Sequence, residues 1–494
     1  MNGTRRIVLS MFMEWARNDP MRIFWLAGMA GTGKTSIAVT LCRMLKEDRA
    51  ILLGGTFFCS RTANIKERTE VRCIIPTLAV ALAERSTTFA EALAAVLTSD
   101  SRVALKPIST QIEVLLQLPL AALVPPPHSI VFVVDALDEC IDEDEVKKLL
   151  QAISGLKSEA TIKFILTSRP ETHIGTSPIA SLNHNSILRL HTINKEEVTE
   201  DIRLYISNVF ARSPLTKPWY SEADVGTLAT LSEGLFIFAS TIVSYVLKVH
   251  SAKGRATRLQ TALLAVQRSK VVLGPLDAMY EFVLTRASDT AEIEPQELEA
   301  TLQVLASILA SRMPLSVRAL AELLTLETDE LRESLQRLHA VVYVPEDEDR
   351  PGLRTLHASF GDYLLERTAD RLRISKSEGH DRLACGCLRI MRNQLHFNIS
   401  KSRSSYEQNP AEKPRSISLS LEYACMQWIY HVAALAESRV LENEVDKTMR
   451  RQLLFWLEVM SVLGEVWRSA AMLLFAASIV RKLASLTVCS DAHG

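Results

Sequence analysis

The stretch Gly28-Met29-Ala30-Gly31-Thr32-Gly33-Lys34-Thr35 constrains this chain more than any other. An apolar run at 23–26 precedes it, and apolar residues at 37, 38, 41, 44 and 45 follow it, so the pattern predicts strand, tight loop and amphipathic helix. Glycines in such a loop let successive backbone amides converge on phosphate oxygens, and the new helix adds the positive end of its dipole. The nucleotide-binding set is then Gly28, Met29, Ala30, Gly31, Thr32, Gly33, Lys34, Thr35 and Ser36. Lys34 would reach the β- and γ-phosphates and the Thr35 hydroxyl would hold magnesium. The bland alternative, a tight turn with an incidental lysine, stands until a second motif displaces it.

Ile130-Val131-Phe132-Val133-Val134 supplies that motif, an unbroken run that predicts a strand buried on both faces of a parallel sheet. It ends in Asp135, at the strand end where a Walker B carboxylate must lie to support magnesium beside Thr35. A further buried strand, Lys163 to Thr167, runs into Ser168-Arg169-Pro170. Arg169 is thereby expected on the ligand side of the sheet, within reach of a terminal phosphate, or else as a surface arginine capping a turn.

The 494 residues suggest about three domains. Lys plus Arg (56) balances Asp plus Glu (57), so no global field points to nucleic acid or an acidic membrane. Eight cysteines are scattered without metal-ligand spacing, which favours buried reduced thiols over zinc. The longest apolar runs, 234–247 and 469–480, are shorter than the roughly 20 residues that span a bilayer and are expected to be buried helices. Glu14 and Arg17 interrupt any secretory leader, so the expected location is cytoplasmic.

Along the chain, residues 1–20 predict an opening helix with a stripe at Ile7, Met11 and Trp15. Residues 21–191 alternate strands and helices, with strands over 52–59 and 187–190 besides those above. From 192 to 290 the pattern is helical, opened by an Asn194–Glu197 capping box and continued by helices over about 222–250 and 276–288. Residues 291–372 predict three helices and a hairpin over 341–344 and 353–356, the order of a winged helix. The third of those helices carries Asp329, Glu330 and Glu333 against Arg332 and Arg337, which argues against reading DNA. Residues 373–494 are expected to form a second helical domain with a polar interruption at 398–417.

The phosphate loop, the Asp135-Ala136-Leu137-Asp138-Glu139 segment and the Thr167-Ser168-Arg169-Pro170 ending resemble a NACHT domain of the STAND class of P-loop NTPases. The small residue Ala136, followed by the acidic pair Asp138 and Glu139, fits that resemblance. Residues 234–240, 276–280, 356–364 and 421–428 further resemble fungal NOD-like receptors. The resemblance implies an α/β nucleotide-binding domain with helices on both faces of a parallel sheet, then helical, winged-helix and second helical domains. It implies ATP/ADP and Mg2+ as ligands, Asp138 and Glu139 as residues that position or activate water, and Arg169 as a sensor of the γ-phosphate. His357 matches the histidine that touches the ADP β-phosphate in relatives, with a satisfied histidine in an apolar helix as the alternative. Gly3-Thr4-Arg5 resembles the segment near adenine, whereas Gly234-Leu235-Phe236-Ile237 lacks the proline of plant relatives.

The implied function is a signalling switch, as in innate immunity, that self-oligomerises on exchange of ADP for ATP, hydrolyses slowly and acts on an unknown effector. Nucleic acid and membrane are not expected partners. A fast AAA+-like ATPase and a truncated helical scaffold are the rival readings. Family members carry an effector domain upstream and repeats downstream, so the chain is expected to be a fragment, a truncated product or a reduced regulator.

Overall fold

Short runs rich in β-branched and aromatic side chains form five strands: β1 (Ile23–Ala27), β2 (Ile51–Phe58), β3 (Ser129–Asp135), β4 (Ile162–Ser168) and β5 (Ile187–Arg189). This computed structural model describes residues 3–60, 66–123, 129–156, 162–170, 187–213, 215, 219–269, 273–287, 295–368, 372–402, 416–435 and 439–477. It divides into two units, residues 1–282 and 283–494. The strands make one parallel sheet in the order β2-β3-β4-β1-β5. β4 therefore lies between the strands that end in the phosphate loop and in Asp135.

Alternation along the strands gives the sheet two apolar faces. Trp25, Phe132, Val134, Phe164 and Leu166 pack into one core with α3 (Ile74–Ala83), α4 (Thr87–Ser99), the helical run 108–120 and α5 (Glu143–Ser154). Phe24, Leu26, Val131, Val133 and Ile165 pack into the other with α1 (Arg6–Asn18) and α2 (Lys34–Glu47). On α1 the buried stripe is Val8, Phe12, Trp15 and Ala16, while the expected Ile7 and Met11 are exposed. Ring contacts set that rotation, because Phe12 and Trp15 meet Phe24 with centroids 4.3 and 5.4 Å apart. At the end of the helix, the buried Lys163 Nζ of β4 donates to the carbonyls of Trp15 (2.7 Å) and Ala16 (2.9 Å).

Four helices follow the sheet: α6 (Lys195–Ala211), α7 (Glu222–Leu231), α8 (Phe236–Leu247) and α9 (Ala252–Ser269). Asn194 caps α6 by accepting from Glu196 N–H, in place of the reciprocal box expected with Glu197. The reciprocal arrangement occurs at α7, between Ser221 and Asp224. No helix was expected over α9, where polar residues dilute a stripe of Leu259, Ala262, Leu263 and Val266. α10 (Pro275–Ala287) crosses from the first unit into the second.

The second unit opens with α11 (Pro295–Ala310), α12 (Val317–Leu324) and α13 (Thr328–Gln336). β6 (Val342–Tyr343) and β7 (Arg354–Thr355) then pair antiparallel, each shorter than the span expected from sequence. Arg318 ties α12 to the intervening turn through Asp349 (2.7 Å) and Glu348 (3.3 Å). After α14 (Ala358–Asp362) come α15 (Lys376–Gln394), α16 (Leu419–Ala433) and α17 (Arg439–Val462). Gly379 and Gly386 let α15 lie directly against the Ala306 and Leu323 carbonyls, where a Cβ would collide.

Residues 466–477 are helical, but Trp467, Leu474 and Phe475 are exposed, correcting the expectation of a buried helix. Within 469–477, Ser469, Met472 and Ala476 are buried, and 478–480 of the expected run lie outside the described residues. Among the described residues, no helix is long and apolar enough to cross a membrane.

Candidate nucleotide site

β1 hands the chain to the loop at Gly28, whose N–H donates to Ser168 O at 3.1 Å. Gly31 (φ 77°) and Gly33 (φ 93°) take left-handed backbone, and α2 begins at Lys34. Side-chain-bearing residues adopt such φ values at a cost of about 1–2 kcal/mol, which glycine avoids. Lys34 Nζ donates to the carbonyls of Gly28 (2.6 Å) and Met29 (3.1 Å), arching over the loop it follows. Thr32 Oγ1 donates to Met29 O (2.8 Å). Met29, Thr35 and Ser36 are exposed, while Ala30 to Lys34 are half-buried.

Asp135 is 1% exposed at the end of β3. Thr167 Oγ1 donates to its Oδ1 at 2.5 Å and accepts from Ala136 N–H at 2.9 Å. Burial pushes the Asp135 carboxyl up, while hydrogen bonds from the Thr167 and Thr35 hydroxyls and the Lys34 charge oppose that shift. A buried carboxylate that shares a hydroxyl with the first turn of a helix is a hard-oxygen donor pair of the kind magnesium takes, with water completing the shell. The oxygen donors present at Thr35 and Asp135 thus fit a hard divalent cation such as Mg2+.

Asp138 and Glu139 occupy the turn Leu137–Glu139, entered through Ala136 in left-handed backbone (φ 58°). The Asp138 carboxylate accepts from Arg169 N–H at 2.9 Å and pairs with Arg169 Nε at 3.1 Å. Lys34 sits in their field: burial pulls its pKa down, Asp138 raises it, Arg169 lowers it, and Asp135 and Glu139 raise it. Lys34, Thr35, Asp135, Asp138, Glu139 and Arg169 therefore cluster at the C-terminal ends of β1, β3 and β4, the ligand end of a parallel sheet. Their charges can meet a polyphosphate and its cation.

His357 belongs to the other unit and stands just before α14, outside the apolar helix of the alternative reading. Its Nδ1 accepts from Ser359 N–H at 3.1 Å and lies 2.6 Å from Ser359 Oγ, so the ring caps that helix.

Two contributors, Thr167 and Ile237, escape a reading of sequence alone, and Arg5, which by resemblance is expected near adenine, touches the loop as well. Thr167 is visible only as a hydroxyl at the end of an apolar strand. Ile237 donates its N–H to Gly31 O at 3.1 Å, and its Cγ2 occupies the space a Cβ at Gly31 would need. The turn at Gly234 (φ 83°) delivers Phe236 and Ile237 to the loop. Arg5, also left-handed, donates from Nη2 to Thr32 O (3.1 Å) and from its backbone N–H to Asp201 Oδ2 (2.9 Å), and its guanidinium lies over the Phe236 ring at 5.1 Å. Thr4, Arg5, Gly33, Ser36, Ile37 and Phe236 line a small pocket beside the loop.

Residues 3–169 match the family model described as Nephrocystin 3, N-terminal. Over 482 residues the chain is 22% identical to vegetative incompatibility protein HET-E-1 of Podospora anserina, covering 92% of this chain and 34% of that protein. The chain thus spans about a third of the length of that curated relative. Among solved structures, Cdc6p from Pyrobaculum aerophilum aligns with 78% of this chain and 94% of its own, at 13% identity and a TM-score of 0.34. The Orc1 protein of Aeropyrum pernix, solved in complex with DNA, aligns with 77% of this chain and 90% of its own, at 14% identity and a TM-score of 0.30. Those scores add nothing to the sheet order and loop geometry, on which the P-loop NTPase fold rests. With the two sequence matches, that geometry makes this chain similar to fungal NACHT-type, NOD-like-receptor proteins with a nucleotide-binding NTPase core.

Proposed function

We propose that the chain is an ATP/ADP-dependent switch in which the occupant of the phosphate loop is reported to the helices behind the sheet. The observation that carries this reading is the seating of Ile237, at the start of α8, directly on Gly31 of the loop. Phosphates drawn to the loop amides load the backbone that Ile237 touches, so loop and helix share one mechanical state. In this reading the amides of 28–36 and Lys34 bind phosphates, while Thr35 and Asp135 hold Mg2+. When bound, that cation offsets the negative charge between the β- and γ-phosphates.

Arg169, held by Asp138, meets the γ-phosphate. With its carboxylate committed to Arg169, Asp138 acts as a positioning residue, and orientation of water falls to Glu139. That division supports slow hydrolysis and a timing role. α11, α12, α13 and the β6-β7 hairpin serve as a winged helix that does not read nucleic acid, because Arg318 and Arg332 of α12 and α13 pair with Glu348 and Asp349. His357 takes part in the ADP-bound form, and exchange for ATP favours self-association and engagement of a signalling effector. Moving such an equilibrium from 1:99 to 99:1 needs about 5.5 kcal/mol of differential binding.

The test is nucleotide titration of folded Lys34→Ala, with the oligomeric state of the unaltered protein measured in ADP and in ATP. Loss of binding in the variant and a larger assembly in ATP are expected. Unchanged affinity, or one assembly size in both nucleotides, would defeat the switch.

A further inference from the structure

Cys59 follows the last residue of β2, and Cys140 follows the turn that carries Asp138 and Glu139. Their sulfurs lie 3.5 Å apart, and both side chains are buried. Each residue is fixed from its own side. Cys59 N–H donates to Asp135 O at 3.0 Å, and the residue after Cys140, Ile141, donates to Thr69 O at 3.1 Å. A disulfide has sulfurs about 2.05 Å apart, so closure asks the two sulfurs to approach by about 1.5 Å. We propose that Cys59 and Cys140 are a modification site that closes reversibly into a disulfide, clamping the Asp138–Glu139 turn to the end of β2.

The oxidant is a small-molecule disulfide such as oxidised glutathione. Local opening of the turn admits it. One cysteine gives its proton to solvent, and its sulfur attacks the reagent, releasing one glutathione thiolate. The second cysteine, likewise deprotonated, attacks the mixed disulfide and releases the other. Two electrons pass from the protein to the reagent, and one S–S bond replaces another. A thiol reductant reverses the exchange. Drawing the turn toward β2 moves Asp138, which holds Arg169 through its N–H and Nε. Closure is therefore coupled to the γ-phosphate end of the site, a consequence that rests on the nucleotide reading above.

The test incubates the native full chain with oxidised glutathione, unfolds it in excess alkylating reagent and maps its peptides by mass. The expected product is a Cys59–Cys140 linked peptide pair, lost on reduction. The exposed Cys385, carrying glutathione as a mixed disulfide, shows in the same sample that the oxidant acted. Alkylation of both Cys59 and Cys140 in protein whose Cys385 has reacted would overturn the pair. So would a Cys140 link to any other cysteine. Nucleotide titration is the second readout: oxidation is expected to change affinity about 5-fold or more in the unaltered protein and not in Cys59→Ser. A linked pair with unchanged affinity would remove the coupling to Asp138 and leave the disulfide standing. Failure of the reduced protein to bind nucleotide would count against the nucleotide reading instead.

Discussion

Ile237 N–H meets Gly31 O at 3.1 Å, and no atom larger than hydrogen fits between the Ile237 side chain and the Gly31 Cα. Gly31→Ala is doubly penalised, by left-handed backbone worth about 1–2 kcal/mol and by that collision. Nucleotide affinity is expected to fall about tenfold or more, read by titration. Ile237→Ala in the same chain should recover part of the loss, with a coupling of about 1 kcal/mol between the positions. Additive losses in the double variant would show that the two residues act separately.

Asp138→Asn keeps the shape of the turn and removes the charge facing Arg169. The Arg169 Nε ion pair is then lost, and discrimination between ATP and ADP should narrow. Competition titrations with the two nucleotides read the ratio directly. A ratio identical to that of the unaltered protein would mean that Asp138 does not position Arg169 for the γ-phosphate.

Ala136 holds φ 58° so that its N–H can reach Thr167 Oγ1. Ala136→Gly relieves that strain at some entropic cost in the unfolded chain, for a net gain of about 0.5 kcal/mol. Ala136→Val, with a β-branched side chain in left-handed backbone, should destabilise by about 2 kcal/mol or more. Denaturant midpoints of the two variants should therefore move in opposite directions.

Lys163→Met leaves the Ala16 carbonyl buried at the end of α1 without the ammonium that satisfies it. The expected loss is about 2 kcal/mol, seen as an earlier unfolding midpoint. An unchanged midpoint would show that water or backbone replaces the lysine.

His380 and His431 give the second unit an acid limit. Their Nδ1 atoms are 2.9 Å apart, and His431 Nε2 lies 2.8 Å from Tyr423 OH. Burial, with Lys376 and Arg312 as further causes, holds His380 down at about 4. Burial, with His380 and Arg312, holds His431 at about 3. Because the folded values lie below the unfolded value near 6.5, the unfolded chain takes up protons first. The stabilising contribution is complete above about pH 6.5 and is withdrawn as pH falls toward 4, by on the order of 2 kcal/mol per histidine. Denaturation at pH 7 and pH 5 tests the sign, and equal midpoints would contradict it.

The loop, Asp135 and Arg169 are legible in the sequence because each is announced by its own strand and by the turn that ends it. The parallel sheet is equally legible in the unbroken apolar runs of β3 and β4. Thr167 and Ile237 are not, since their roles depend on β4 lying between β1 and β3 and on α8 returning to the loop. Such placements arise from strand order and backbone approach, which no local periodicity encodes. α1 shows the same limit at smaller scale. Apolar residues lie on more than one of its faces, and only the rings of Phe12 and Trp15 meeting Phe24 decide which face turns inward.

The same helix determines where this chain can be cut. Phe24 is kept dry on one side of the sheet by Phe12 and Trp15 of α1, and Lys163 locks the end of that helix in place. An expression fragment starting at β1 would carry an intact phosphate loop on a sheet with a wet hydrophobic flank and an ammonium stranded in it. Such a fragment would precipitate or dimerise through that flank, and its nucleotide affinity would describe the damage rather than the protein.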